Sequence, residues 1–189
     1  MTPFEYISVL FSIILGLGIT QLVGGVADII QQWERVKIYW PHTLWIGFIF
    51  FLHLQAWWQF YDLQKYEEWH LNDFLIAMIY PIVLFVLARL LFPNNQSAIP
   101  LDFRDFYFQN FRKVFVWSIA LIAISVLDNV LISKIAFKDQ GLQFGLLIIL
   151  SIVTYRNYRQ EWVHKALVVL LLLIILAAMV SRDWAIRQS

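Results

Sequence analysis

Among 189 residues, the side chain with the most chemical reach is His53, set in an aromatic and unusually polar stretch, Pro41–Tyr61, beside Trp45, Gln55, Trp57, Trp58 and Gln59. Counting from Pro41 at ~1.5 Å per helical residue places it about 18 Å into a bilayer, where an ionisable group is costly and a functional candidate by default. Histidine titrates near physiological pH, so this position suits a proton relay or a ligand contact. The alternative is a neutral imidazole hydrogen-bonded inside a helix bundle. Gly16 and the pair Tyr80-Pro81 fall at a similar depth. Gln55 and Gln59 are expected to meet Asp128 and Asn129, with Gln143 at the same level, and a carboxylate there must be paired, solvated or protonated. His53, Gln55, Gln59, Asp128 and Tyr80 thus form the expected intramembrane polar path.

Other reactive constellations are missing from the sequence. Asp62, Glu67, Glu68, His70 and Asp73 sit together but match no metal-ligand spacing, and of the four histidines only His53 is expected to be deep, which gives haem little support. No metal site and no cofactor is expected. The chain has no cysteine, no glycine-rich phosphate loop, no nucleophile elbow and no His-rich zinc motif, so an enzyme is the least supported class.

The elements that must position these residues follow from composition. Apolar residues make up 61% of the chain and charged residues 14%, against about 45 to 50% and about 25% in soluble domains, so lipid is the expected solvent. A net charge of +1 carries no basic excess for nucleic acid, which is an unlikely partner. Six apolar stretches predict an all-α, polytopic membrane protein with six transmembrane helices, about 3–31, 41–63, 73–92, 107–133, 141–157 and 161–182, in one domain spanning 1–189. The fifth is short and is expected either to extend through Tyr158 or to be re-entrant. Six crossings put Arg35, Lys37, Arg89, Arg104, Arg112, Lys113, Arg156, Arg159 and Lys165 on one face, and Lys65, Lys134, Lys138, Arg182 and Arg187 on the other. By the positive-inside rule the first face is cytoplasmic and both termini lie outside the cytoplasm.

Local signals refine this frame. Thr2, Pro3 and Glu5 form a capping box with proline in the first turn, a helix start and not a secretory leader. Ser8, Ser12, Gly16, Thr20 and Gly24 recur every four residues, continued by Asp28, and make a small-residue seam fit for close helix packing, either within the bundle or between copies in a homo-oligomer. Gly18 and Pro81 are hinge candidates, Pro81 because it removes a backbone donor and breaks the third helix near its centre. Arg89 is expected to snorkel or to pair with Asp28. Leu101–Phe115 mixes phenylalanines with Arg104, Arg112 and Lys113 and reads as a short interfacial helix before the fourth span. Arg156 and Arg159 repeat that character, and these five cations are expected to contact acidic lipid headgroups on the cytoplasmic face.

The run Phe4-Glu5-Tyr6-Ile7-Ser8-Val9-Leu10, followed by Ser12 to Thr20, resembles the opening of a family of small, uncharacterised bacterial inner-membrane proteins. A looser similarity continues at Asp102-Phe103-Arg104, Tyr107 and Arg112. The resemblance implies a bacterial inner membrane and no particular activity. The residues point first to a channel or transporter for a cation, proton or small solute along the His53 path. The alternative is a non-enzymatic adaptor or sensor subunit working through helix–helix and lipid contacts.

Overall fold

The computed structural model describes residues 2–65, 68–93, 101–131 and 136–181. It is all-α but for one small parallel pairing: α1 (Pro3–Gln31), β1 (Val36–Lys37), α2 (Trp40–Phe60), α3 (Leu71–Leu90), β2 (Leu101–Asp102), α4 (Phe103–Leu131), α5 (Gly141–Tyr155) and α6 (Glu161–Ser181). The sequence positions at Glu67, Asn94, Asn95, Ser97, Pro100, Lys134, Arg182 and Arg187, and the expected ends of the fourth and sixth helices, lie outside the described residues.

Five of the helical segments are long and apolar enough to cross a membrane; α2 is not among them. The reason is its position. α2 packs against α1, α3, α4 and α6, so His42, Trp45, His53 and Ala56 face protein, and its composition answers to neighbours in place of acyl chains. α1 packs on α2 and α3, α3 on α4, and α4 on α5.

α1 begins as its sequence requires, with Thr2 and Glu5 exchanging hydrogen bonds at 2.9 and 3.1 Å. Its buried stripe is Ile7, Phe11, Leu15, Gly18, Leu22 and Gly25, a spacing of three and four that keeps one face inward. Two of these are glycines for a steric reason. A Cβ at Gly18 would collide with the His53 ring, and one at Gly25 with the Phe92 ring. Of the two places open to the small-residue seam, the inside of the bundle is taken by Gly18 and Gly25 instead: Ser12, Thr20 and Gly24 are exposed, Ser8 and Gly16 half-buried, and a Cβ at Gly16 or Gly24 would meet nothing within 4 Å.

Three further expectations change. α3 runs unbroken through Pro81, so proline is accommodated in a continuous helix. The segment before the fourth span is no separate interfacial helix; it forms the first turns of α4, started by Asp102, whose carboxylate accepts from the Arg104 backbone N–H at 2.9 Å. The fifth helix gains length at its start and not through Tyr158: a 3-10 turn, Phe137–Gln140, leads into α5, giving a 19-residue segment that ends at Tyr155.

Contacts between junctions show that the α1–α2, α3–α4 and α5–α6 connections meet at one end of the bundle. β1 pairs with β2 in the register Val36 to Leu101 and Lys37 to Asp102, with Lys37 Nζ 3.7 Å from the Asp102 carboxylate. We call this the junction end.

Candidate functional site

The junction end is organised by two buried histidines that the sequence reading had not placed in the core. His164, in the first turn of α6, is 0% exposed, and His42, in the first turn of α2, is 3% exposed. Each holds a backbone carbonyl that a helix end or turn has left without a helical partner.

The His164 contact starts from the way α5 stops. Asn157 takes a left-handed φ of 49°, which asparagine tolerates better than most residues. The Tyr158 N–H then returns to the Val153 carbonyl at 3.2 Å and the Asn157 N–H to Thr154 at 3.3 Å, closing the α5 C-terminus by a Schellman turn. That turn aims the Tyr158 carbonyl inward, 2.8 Å from His164 Nε2. A carbonyl only accepts, so Nε2 carries the hydrogen, and Nδ1 accepts from the Tyr107 hydroxyl at 2.9 Å. One imidazole thus ties the α5–α6 turn to α4.

His42 does the same for α3. Its Nε2–H donates to the Leu91 carbonyl at 2.9 Å, filling one of the acceptors freed at the α3 C-terminus, while its ring stacks on Phe103 at 4.8 Å. Around the two imidazoles lie Phe106, Tyr107, Phe108, Phe111 and Phe115, mostly edge-on, as the ring quadrupole prefers. The Trp45 indole is turned toward Tyr107 without reaching hydrogen-bond geometry. Tyr39, just ahead of α2, packs on Tyr107 with its hydroxyl buried and unpartnered. Burial, helped by nearby Glu161 and opposed by Arg104, pushes its phenol up to about 12. Glu161 closes the rim, held by Lys165 at 2.9 Å and Arg104 at 3.3 Å.

The expected polar path is only partly assembled. His53 is 0% exposed, with Nδ1 donating to the Ile49 carbonyl at 2.7 Å and Nε2 facing Gly18 without a hydrogen-bond partner. It fills a notch in α1. Gln55 is half-buried and Gln59 exposed, and neither is hydrogen-bonded to Asp128 or Asn129. The amides that do meet join α4 to the start of α5: Asn129 donates to Gln140 and Gln143, each at 3.3 Å, and Gln143 donates to Ser125 at 2.9 Å. Asp128 is an electrostatic neighbour of Tyr80 and keeps one buried oxygen without a partner. Arg89 reaches Gln21 of α1 at 3.1 Å. Of the five expected headgroup cations, Arg104 is ion-paired to Glu161 and Lys113 donates to Asn110 at 3.2 Å, while Arg112, Arg156 and Arg159 have no ion-pair or hydrogen-bond partner among the described residues. Among the described residues of the acidic loop, Asp62 pairs with Lys65 at 3.7 Å and Asp73 caps the His70 backbone at 3.4 Å.

Both ring nitrogens of His164 are engaged, Nε2 by the Tyr158 carbonyl and Nδ1 by the Tyr107 hydroxyl, so the imidazole fastens α4 to the α5–α6 turn. Among the described residues no group of three or more His, Asp or Glu side chains converges as a metal site. Comparison with known proteins gives no matching family model, no similar curated protein and no similar solved structure.

The pairing is measurable. Removing the Tyr107 hydroxyl leaves a buried acceptor empty, so Tyr107→Phe is expected to lower stability by about 1–3 kcal/mol. His164→Leu, which orphans both the hydroxyl and the Tyr158 carbonyl, should cost more. Reversible unfolding of both single variants and the double variant should give a coupling of about 1 kcal/mol or more; strictly additive losses would contradict the bond.

Proposed function

We propose that the protein is a non-enzymatic membrane subunit, an adaptor or sensor, that works through helix–helix and lipid contacts in a bacterial inner membrane. In this reading it crosses the bilayer six times with both termini outside the cytoplasm, α2 being the sixth span, and the junction end faces the cytoplasm. Convergence of three alternate junctions with Lys37, Arg104, Arg156, Arg159 and Lys165 supports that orientation.

The observation that carries the reading is the division of α1 into two small-residue faces. Gly18 and Gly25 are consumed inside the bundle, whereas Ser12, Gly16, Thr20 and Gly24 turn outward with open space above both glycines. Outward small residues at four-residue spacing let a second helix approach its backbone closely and gain dispersion and Cα–H···O contacts. A partner helix, in a homo-oligomer or another subunit, is the occupant such a face fits.

The chain lacks cysteine, which makes the test direct. Single cysteines at Gly16 and Gly24 should cross-link to a partner in native membranes, and Gly16→Leu with Gly24→Leu should abolish the assembly while leaving the fold intact, because nothing lies within 4 Å. Retained assembly in that double variant would remove the interface. A transport reading keeps one specific support, the unpartnered Asp128 oxygen beside Tyr80. Asp128→Asn should then reduce proton or cation uptake into proteoliposomes, and unchanged uptake would eliminate it.

A further inference from the structure

The α5–α6 turn presents a surface separate from the outward face of α1. Arg156, Asn157, Tyr158, Arg159 and Gln160 line an open concavity of about 500 Å³. Both arginines line it without an ion-pair partner among the described residues, and the adjacent acid, Glu161, is already held by Lys165 at 2.9 Å and Arg104 at 3.3 Å. Two uncompensated guanidinium groups within four residues suit a phosphate oxygen pair, which guanidinium binds in a planar fork.

The surroundings say which phosphate. Tyr155 and Trp162, 86% and 71% exposed, flank the turn as an aromatic belt does at headgroup level. One turn down α5, Ile152 and Ile148 are exposed, and α6 exposes Val169 and Leu173, so acyl chains attached to that phosphate would have apolar helix to lie against. The Schellman turn and the Tyr158 carbonyl on His164 hold the backbone that carries both arginines.

We infer that the α5–α6 turn is a binding site for one anionic phospholipid, recognised through its phosphate by Arg156 and Arg159. The zwitterionic headgroup of phosphatidylcholine offers the same phosphate but a compensating ammonium, so the site selects for net negative lipid.

Native mass spectrometry of the full chain, released from phosphatidylcholine nanodiscs containing phosphatidylglycerol, tests this. The wild type should retain phosphatidylglycerol in preference to phosphatidylcholine. Arg156→Gln with Arg159→Gln should weaken that retention about thirtyfold, the equivalent of about 1 kcal/mol for each arginine near an anionic surface. Lys65→Gln, which removes an exposed cation at the α2–α3 connection, should leave it unchanged. Both arginines are exposed and make no side-chain contacts, so the double variant keeps the fold, which circular dichroism would verify. Equal retention by wild type and double variant, equal retention of the two lipids, or displacement by excess inorganic phosphate would each overturn the assignment. Loss of the α1 cross-links leaves it untouched, so the two readings fail independently.

Discussion

Backbone carbonyls at helix ends need donors, and where helix ends are packed together away from water those donors must come from the protein. At the junction end two such carbonyls, Leu91 at the close of α3 and Tyr158 in the turn after α5, are each met by the Nε2–H of a buried histidine from the first turn of another helix. Histidine suits the task because its neutral ring offers one donor, one acceptor and a flat apolar face at once. His42 uses the face against Phe103, and His164 uses the second nitrogen to accept from Tyr107. Aromatic packing, the β1–β2 pairing and the Arg104–Glu161–Lys165 rim all gather around those bonds.

That arrangement divides the molecule by task. The junction end is held from inside, and its outer surface presents unpaired arginines and exposed aromatics. Along the bundle, α1 and the later helices expose Val9, Ile13, Leu17, Val169 and Leu173, side chains suited to acyl chains or to a neighbouring helix. His53, fully buried, is locked against Gly18 and its own helix, which fits a packing role better than a water-lined path.

Much of the frame was legible beforehand. The capping box of Thr2 and Glu5 and the apolar run after it place α1 at 3–31, and the last apolar run places the start of α6 at 161, whereas α4 starts at Phe103, ahead of the expected 107. Facing directions were not. Gly16 and Gly24 differ from Gly18 by two and six residues, so at about 100° per residue the two small-residue sets point to opposite or distant sides, and α1 alone does not say which turns inward. The choice is made by Phe11, Leu15 and Leu22, which share the inner stripe, and by the His53 ring, which only Gly18 can admit. His42 and His164 are hidden in the sequence for a similar reason: both sit near helix starts, away from mid-span, and are enclosed by side chains from distant parts of the chain. The available signal was the density of aromatics at 103–115 beside a histidine three residues from Trp45.

The central claim is that neutral imidazoles with assigned hydrogens hold the junction end together, and nitrogen-15 chemical shifts of histidine-labelled protein in bilayers read those hydrogens directly. His164 and His42 should appear as Nε2–H tautomers and His53 as the opposite Nδ1–H form, as their carbonyl partners Tyr158, Leu91 and Ile49 require. An Nδ1–H tautomer at His164, or shifts that show its Nε2 without a hydrogen-bonded proton, would contradict the account.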